Sequence, residues 1–252
     1  MQLDNTAAIV TGGASGLGAA TAAALARKGA LVYALDLKAS IDSAPDVDRV
    51  TYIDADVTNI DDVRNALAAT TEADAPLRTV VNCAGIGPSA RILGRSGVHD
   101  LALYAAVIQV NLVGTFNVLT LAAEHIARTE PDEQGQRGVI VNTASIAAYD
   151  GQVGQAAYAS SKGGIVALTL PAARDLAQHG IRVCAIAPGI VDTPLLATVS
   201  DEFRANLAAG VPFPPRLARP DEFASLAVTV IEHDYLNGEV IRMDGALRMA
   251  PR

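Results

Sequence analysis

The sequence predicts a doubly wound α/β fold: one domain with about seven parallel strands and helices on both faces. Three observations lead there. Short β-branched runs alternate with Ala-rich, amphipathic stretches. The strand runs show little polar alternation, as expected of parallel strands buried on both faces. A glycine-rich turn joins the first run to the first helical stretch.

In chain order, the expected strands are Ala7–Thr11, Leu31–Leu35, Val50–Ile53, Thr79–Asn82, Val139–Thr143, Arg182–Ile186 and Glu239–Met243. Gly16–Lys28 and Asp61–Thr71 read as helices between them, and Leu101–Ala123 carries no charge over 23 residues. That length spans a bilayer, but Gln109, Asn111, Thr115, Asn117 and Thr120 interrupt it. We read it as a helix buried on most of its circumference, against the sheet on one side and another subunit on the other. Two long loops are expected, Gly85–Gly97 and Asp192–Pro220, the second containing five prolines. Loops of this length often cover a site. Ligands of such a fold bind beyond the carboxyl ends of the strands, so substrate loops are placed near 85–100 and 192–220 within a single domain over 1–252.

Composition narrows the function. The chain has 252 residues, half of them hydrophobic, and a net charge of −8. That sign suits neither nucleic acid nor an anionic membrane surface. Cys83 and Cys184 sit in apolar runs and read as buried thiols of a reducing, cytoplasmic compartment. The four histidines are scattered, so no metal site is expected. Met1-Gln2-Leu3-Asp4 has no basic region and leads almost directly into a strand, so no targeting peptide is expected.

Thr11-Gly12-Gly13-Ala14-Ser15-Gly16-Leu17-Gly18 follows the first strand. Glycines there let the backbone approach a pyrophosphate at the positive end of a helix; a turn that merely packs helix on strand is the plain alternative. Asp36 ends the second strand, 24 residues after Gly12, where a carboxylate accepts both adenosine ribose hydroxyls and repels a 2′-phosphate. Neither Ser15 nor Leu37 offers an offsetting cation, although Lys38 is close, so NAD is expected over NADP. Asp56-Val57 is placed for the adenine edge, and Cys83-Ala84-Gly85 offers small residues beside the cofactor.

Tyr158 and Lys162, four apart, share a helix face, and the chain has only three lysines. A phenol is a useful base near neutrality only if its pKa falls from about 10, and a nearby ammonium acts in that direction. Ser145, 13 residues before Tyr158, follows a strand where its hydroxyl can orient a substrate oxygen. Asn111 is expensive to bury without partners; it either bridges Lys162 to a water chain or is a satisfied structural amide.

Together these motifs resemble the classical short-chain dehydrogenase/reductase family over nearly the whole chain. The resemblance implies a Rossmann fold and a catalytic tetrad of Asn111, Ser145, Tyr158 and Lys162. It rests also on Pro188-Gly189, and it places Val191 and Thr193 near the nicotinamide carboxamide. The runs Gln136–Ser145, Gly151–Tyr158, Ile181–Leu196 and Asn237–Gly245 are similar to type-II 3-hydroxyacyl-CoA dehydrogenases, also described as short-chain hydroxysteroid dehydrogenases. This implies a homotetramer and a 3-hydroxyacyl-CoA substrate facing Ser145, Gln155 and Tyr158. Arg91, Arg95, Arg216 and Arg219 are candidates for CoA phosphates or are solvated charges; Leu195, Leu196, Val211 and Phe213 are candidates to cover the acyl chain. Cys83 departs from the wider family's second Asn, Tyr158-Ala159-Ser160-Ser161-Lys162 varies the usual motif, and Gly85–Asp100 matches poorly. A steroid or simple-alcohol dehydrogenase is the alternative, and a catalytically idle NAD-binding scaffold is the non-enzyme one.

Overall fold

Seven of the apolar runs form one parallel sheet in the computed structural model, which describes residues 1–71, 75–95, 97–196 and 200–251. In chain order, β1 (Ala7–Thr11), α1 (Gly16–Arg27), β2 (Leu31–Asp36), a short α2 (Lys38–Ile41), β3 (Val50–Asp54) and α3 (Ile60–Thr71) make the first half. The second half is β4 (Leu77–Asn82), a small antiparallel pair β5 (Leu93–Gly94) and β6 (Gly97–Val98), α4 (Leu101–Ile108), α5 (Thr115–Ala127), β7 (Gly138–Thr143), α6 (Ala156–Leu176), β8 (Ile181–Pro188), α7 (Asp201–Ala209), α8 (Pro220–Glu232) and β9 (Val240–Met243). The sheet order is β3-β2-β1-β4-β7-β8-β9. The chain reverses direction of winding between β1 and β4, which creates the crevice where such folds bind ligands.

Alternating side chains divide the core. Ala8, Val10, Val32, Val141 and Ile186 face α1 and α8, where Leu25, Phe223 and Ile231 are fully buried. Ile9, Leu35, Val80, Ile140 and Val183 face the other layer, with Val63, Val118, Leu119, Ile126 and Ala172. Pro220 opens α8, and the Glu222 carboxylate reaches back to accept the Arg219 N–H at 2.8 Å, which fixes the start of that helix.

Three expectations are corrected. The Asp192–Pro220 segment is not irregular throughout: it contains α7 and a 3-10 turn at Pro194–Leu196, because Asp201–Ala209 is rich in helix formers and begins with an acidic pair suited to a helix N-terminus. Residues 96 and 197–199 of the expected loops, and the Leu195 side chain, lie outside the described residues. The uncharged Leu101–Ala123 stretch is not one regular helix. A π-helical turn, Gln109–Gly114, joins α4 to α5. The chain by itself covers only one side of it: α5 buries Val118, Leu119 and Ile126, whereas Leu101, Tyr104 and Phe116 are exposed. By length and composition Leu101–Ala127 is long enough to cross a membrane, yet its α5 half is built into the core. Finally, Cys184 is buried but Cys83 is only partly so, because it stands one residue past the end of β4.

Candidate active site

The site forms where the carboxyl ends of β1, β4 and β7 lie side by side. Thr11, Asn82 and Asn142 end or nearly end these strands in register. Asn82 Nδ2 donates to Asn142 Oδ1 at 2.9 Å, and Thr11 Oγ1 accepts both the Cys83 and Ala84 N–H groups at 3.1 Å. The loop after β4 is therefore pinned against the loop after β1.

The glycine turn is shaped by contact rather than by generic flexibility. Gly12 has φ +63° and a Cβ there would lie 2.9 Å from the Ala84 nitrogen; at Gly18 it would lie 2.0 Å from the Gly12 carbonyl oxygen. A Cβ on Gly16, which has φ +51°, would lie 3.5 Å from the Thr193 and Pro194 side chains. Ser15 precedes α1 without capping it through its side chain, and no acidic residue occupies the first turn. The first N–H groups of α1, from Gly16 and Leu17 onward, thus face the crevice with the character of an anion site. Asp36 turns toward this loop: its Oδ2 accepts the Ala14 N–H at 3.0 Å and its Oδ1 the Leu37 N–H at 2.8 Å. The Lys38 ammonium is paired with Asp42, so the cation nearest in sequence is turned to another carboxylate. The glycine turn and the open first turn of α1 fit the pyrophosphate of a nicotinamide dinucleotide.

Other expected cofactor residues are placed unevenly. Asp56 Oδ1 accepts both the Thr58 N–H and hydroxyl at 2.8 Å, and Val57 is buried in the core beside Gly114. Gly85 lies between Asn111 and Lys162: a Cβ there would be 3.1 Å from Asn111 Oδ1 and 3.7 Å from Lys162 Nζ. Pro188 ends β8 in the core, and Val191 bridges to Ala218, closing the base of the segment that carries α7.

Ser145 lies close enough to the Tyr158 phenol to act on its ionisation. The Ser145 oxygen accepts the Ala147 N–H at 3.1 Å, which leaves its hydroxyl proton to donate elsewhere. Lys162 is 4 % exposed. Its Nζ donates to the Thr143 carbonyl at 2.7 Å and lies 5.8 Å from the Tyr158 ring centroid. Burial lowers the Lys162 pKa to about 8. Tyr158 runs against the sequence expectation: burial raises its pKa, and Ser145 only partly offsets this. Desolvation of the phenolate is the dominant effect in the chain by itself. Asn111 sits in the π-turn with its amide fully occupied: Oδ1 accepts the Ile86 N–H at 2.8 Å, and Nδ2 donates to the Ile86 carbonyl at 2.9 Å and to Ser161 at 3.0 Å. Sequence reasoning missed Ser161, whose hydroxyl donates to the Tyr158 carbonyl at 2.8 Å while holding Asn111; the doubled serine before Lys162 was the available signal.

A cleft of about 450 Å³ opens between the Arg91–Leu93 segment and Gly151–Ala159, and Gln155 lies in its wall. The Gln155 amide is engaged with Gln152 at 3.2 Å. A second cavity of about 140 Å³ lies between Val211, Arg216 and the Asp244-Gly245 turn. Of the four candidate arginines, Arg216 forms a two-pronged pair with Glu222 at 2.7 and 2.8 Å, and Arg219 pairs with Asp221 at 3.0 Å. Both are held by carboxylates of the first turn of α8, and neither lines the larger cleft, although Arg216 lines the smaller cavity. Arg91 and Arg95 are exposed, and Arg91 lines the cleft. Phe213 is 79 % exposed and Val211 buried.

Known proteins agree with this architecture. Residues 6–203 match the family described as short chain dehydrogenase. The 3-hydroxyacyl-CoA dehydrogenase type-2 of Bos taurus is 52% identical over 97% of this chain and 95% of its own length, and that of Drosophila melanogaster is 48% identical over 99% and 100%. A crystal structure of 3-hydroxyacyl-CoA dehydrogenase type-2 from Mycobacterium avium superposes with a TM-score of 0.91 at 44% identity, covering 98% of both chains. The chain belongs to the short-chain dehydrogenase family and is an oxidoreductase acting on secondary alcohols.

Proposed function

We propose that the enzyme oxidises the hydroxyl of a 3-hydroxyacyl-CoA to the ketone with NAD as acceptor. The observation that carries this is the joining of Ser145, Tyr158 and Lys162 at the strand edge that also holds the glycine turn and Asp36. Similarity to 3-hydroxyacyl-CoA dehydrogenases over almost the full chain supports the substrate class.

Tyr158 takes the hydroxyl proton. Ser145, fixed by the Ala147 N–H, has its one proton free to donate to the substrate oxygen beside the phenol. Lys162 keeps a positive charge beside the phenol and, with one N–H on Thr143, has two left for ribose hydroxyls. Asn111 and Ser161 hold the Ile86 and Tyr158 backbones, so they position rather than react. Gly12, Ser15, Gly16, Leu17 and Gly18 would hold the pyrophosphate, Asp36 the adenosine ribose, Asp56 and Val57 the adenine side through their backbone, Cys83, Ala84 and Gly85 the middle, and Pro188, Val191 and Thr193 the nicotinamide end. NAD supplies the hydride acceptor and a positive ring that favours the phenolate. Gln155 contacts substrate from the cleft wall.

The proposal extends to assembly and setting. Exposed Leu101, Tyr104 and Phe116 on α4–α5 and Leu170 on α6 support a homotetramer with two-fold axes. Two free thiols and the acidic surface support a cytoplasmic enzyme, which cell fractionation checks.

Replacing Tyr158 by Phe should lower kcat by about 10³-fold while NAD still binds; retention of most activity would place the base elsewhere. The native enzyme should use a short 3-hydroxyacyl-CoA better than the same acyl group on a truncated thioester, with the advantage shrinking at high salt because Arg91 and Arg95 supply it. No advantage at either salt would favour a steroid or simple alcohol. Asp36→Ala should weaken NAD about tenfold and narrow the preference over NADP, since the carboxylate both binds the diol and repels phosphate; unchanged kinetics with both cofactors would remove Asp36 from the site. Light scattering should give four times the 25.9 kDa chain mass, and a monomer at micromolar concentration would refute the tetramer. For Lys162, a folded pKa of about 8 lies below the unfolded value of about 10.4. The unfolded chain then binds more protons between these values, so this group adds stability as pH rises through the window. The stability difference between native enzyme and Lys162→Met, without cofactor, should grow from pH 8 to pH 10 by up to about 3 kcal/mol; a flat difference would contradict a desolvated ammonium.

A further inference from the structure

The stretch Tyr149–Gln155 joins the Ser145 turn to α6 without regular structure of its own, yet Gly151–Gln155 forms a wall of the 450 Å³ cleft. It is held from outside, by the edge strand β9 and the segment that follows. Arg242 Nη2 donates to Asp150 Oδ2 at 2.7 Å and to the Leu247 carbonyl at 3.2 Å, and its Nε donates to Asp244 Oδ2 at 2.7 Å. The same guanidinium lies 5.1 Å from the Tyr149 ring centroid. Two further ties run to the segment after β9: Gln152 Nε2 donates to the Ala250 carbonyl at 2.8 Å, and the Val153 N–H to the Pro251 carbonyl at 3.0 Å. Gln152 in turn engages Gln155.

This pair differs from an ordinary surface ion pair. The Arg242 and Asp150 side chains are 23% and 20% exposed, and a planar fork joins two carboxylates that are 94 residues apart in sequence, Asp150 and Asp244. The Asp244-Gly245 turn also lines the separate 140 Å³ cavity. Gly189 donates to the Met243 carbonyl at 2.8 Å and packs against Asp244, and the Phe213 N–H donates to the Gly245 carbonyl at 3.2 Å. Arg242 therefore ties the cleft wall to the turn that holds the loop after β8 and the segment after α7.

We propose that Arg242, acting through Asp150, is a positioning residue that sets the width of the substrate cleft and so discriminates substrates by the size of the group beyond the carbinol carbon. This rests on the placing of substrate in that cleft. The test compares R242Q, R242K and D150N with the native enzyme on a short and a long 3-hydroxyacyl thioester, alongside hydrogen exchange of the Gly151–Gln155 amides. R242Q and D150N should lose about tenfold in kcat/KM on the long substrate, mainly through KM, and less than twofold on the short one. The KM for NAD should hold, R242K should recover most of the loss, and the wall amides should exchange faster in R242Q. Equal losses on both substrates, or unchanged exchange of the wall, would overturn the proposal. If R242Q fails to fold, D150N decides the matter by the same two readouts. Should the native enzyme turn over neither thioester, the 3-hydroxyacyl-CoA reading fails. The clamp is then judged on a bulky hydroxysteroid against a short secondary alcohol, where the same split is required.

Discussion

Asn82 and Asn142 stand opposite each other at the ends of neighbouring parallel strands, and the hydrogen bond between their amides controls what leaves those strands. Side chains at such ends normally face the helices, where a buried amide is expensive. Here Asn82 reaches Asn142, and Thr11 on the next strand receives two backbone N–H groups from the Cys83-Ala84 turn. The three loops that build the site are thereby fixed to one another before any ligand arrives. The arrangement has a cost: Asn142 Nδ2 is buried without a partner among the described residues. A row that holds the glycine turn so close to Ala84 that a Cβ on Gly12 would lie 2.9 Å from the Ala84 nitrogen offsets that penalty by preorganising the crevice, since small displacements of reacting groups are costly in rate.

From this row the chemistry follows in layers. Thr143, next after Asn142, turns its carbonyl to Lys162 and its hydroxyl to the Cys83 sulfur at 3.6 Å. Burial holds the Cys83 thiol up, at about 11, so it is neutral and serves as packing beside the lysine. Ser145 follows two residues later and is fixed by the backbone of its own turn. The π-turn completes the frame. One extra residue per turn lets Asn111 face Ile86 and Ser161 together, while Thr115 takes the freed Asn111 carbonyl at 2.8 Å. Ser145 and Lys162 are thus each oriented by a main-chain group, the Ala147 N–H and the Thr143 carbonyl.

What was legible in the sequence is what depends on neighbours within a few residues. Strand runs, the glycine turn, Asp36 and the Tyr158–Lys162 spacing are local patterns; the structure puts the turn and Asp36 at strand ends and Tyr158 and Lys162 on one helix, α6. The helix α7 was hidden because prolines on both sides suggested a loop. The π-turn has no periodic signature in an uncharged stretch. Tyr158 was read through its partner Lys162, whereas the direction of its shift is decided by burial, a property of the whole fold. The arginines were read by loop membership. Arg216 finds Glu222 across a helix start, and Arg242 finds Asp150 on the other side of the sheet edge, pairings that no spacing rule announces.

Two buried cations show why one becomes structure and the other chemistry. Arg182 is 7 % exposed, and its fork is occupied: Nε on Gln136 at 2.8 Å, Nη1 on the Val230 and Leu236 carbonyls, Nη2 on Ile231 at 2.7 Å. It closes the carboxyl end of α8, where carbonyls lack helical partners and a positive charge is favoured. A guanidinium keeps its proton under any such condition, so it can only hold. Lys162 is buried as deeply but makes one side-chain hydrogen bond among the described residues, to Thr143. Its remaining donors are desolvated without return in the chain alone, which is why its pKa falls toward neutrality. That deficit is relieved by whatever presents acceptors or negative charge there, a ribose diol or a phenolate. In a chain with only three lysines, the one placed at the strand edge is the cation whose protonation the site can adjust.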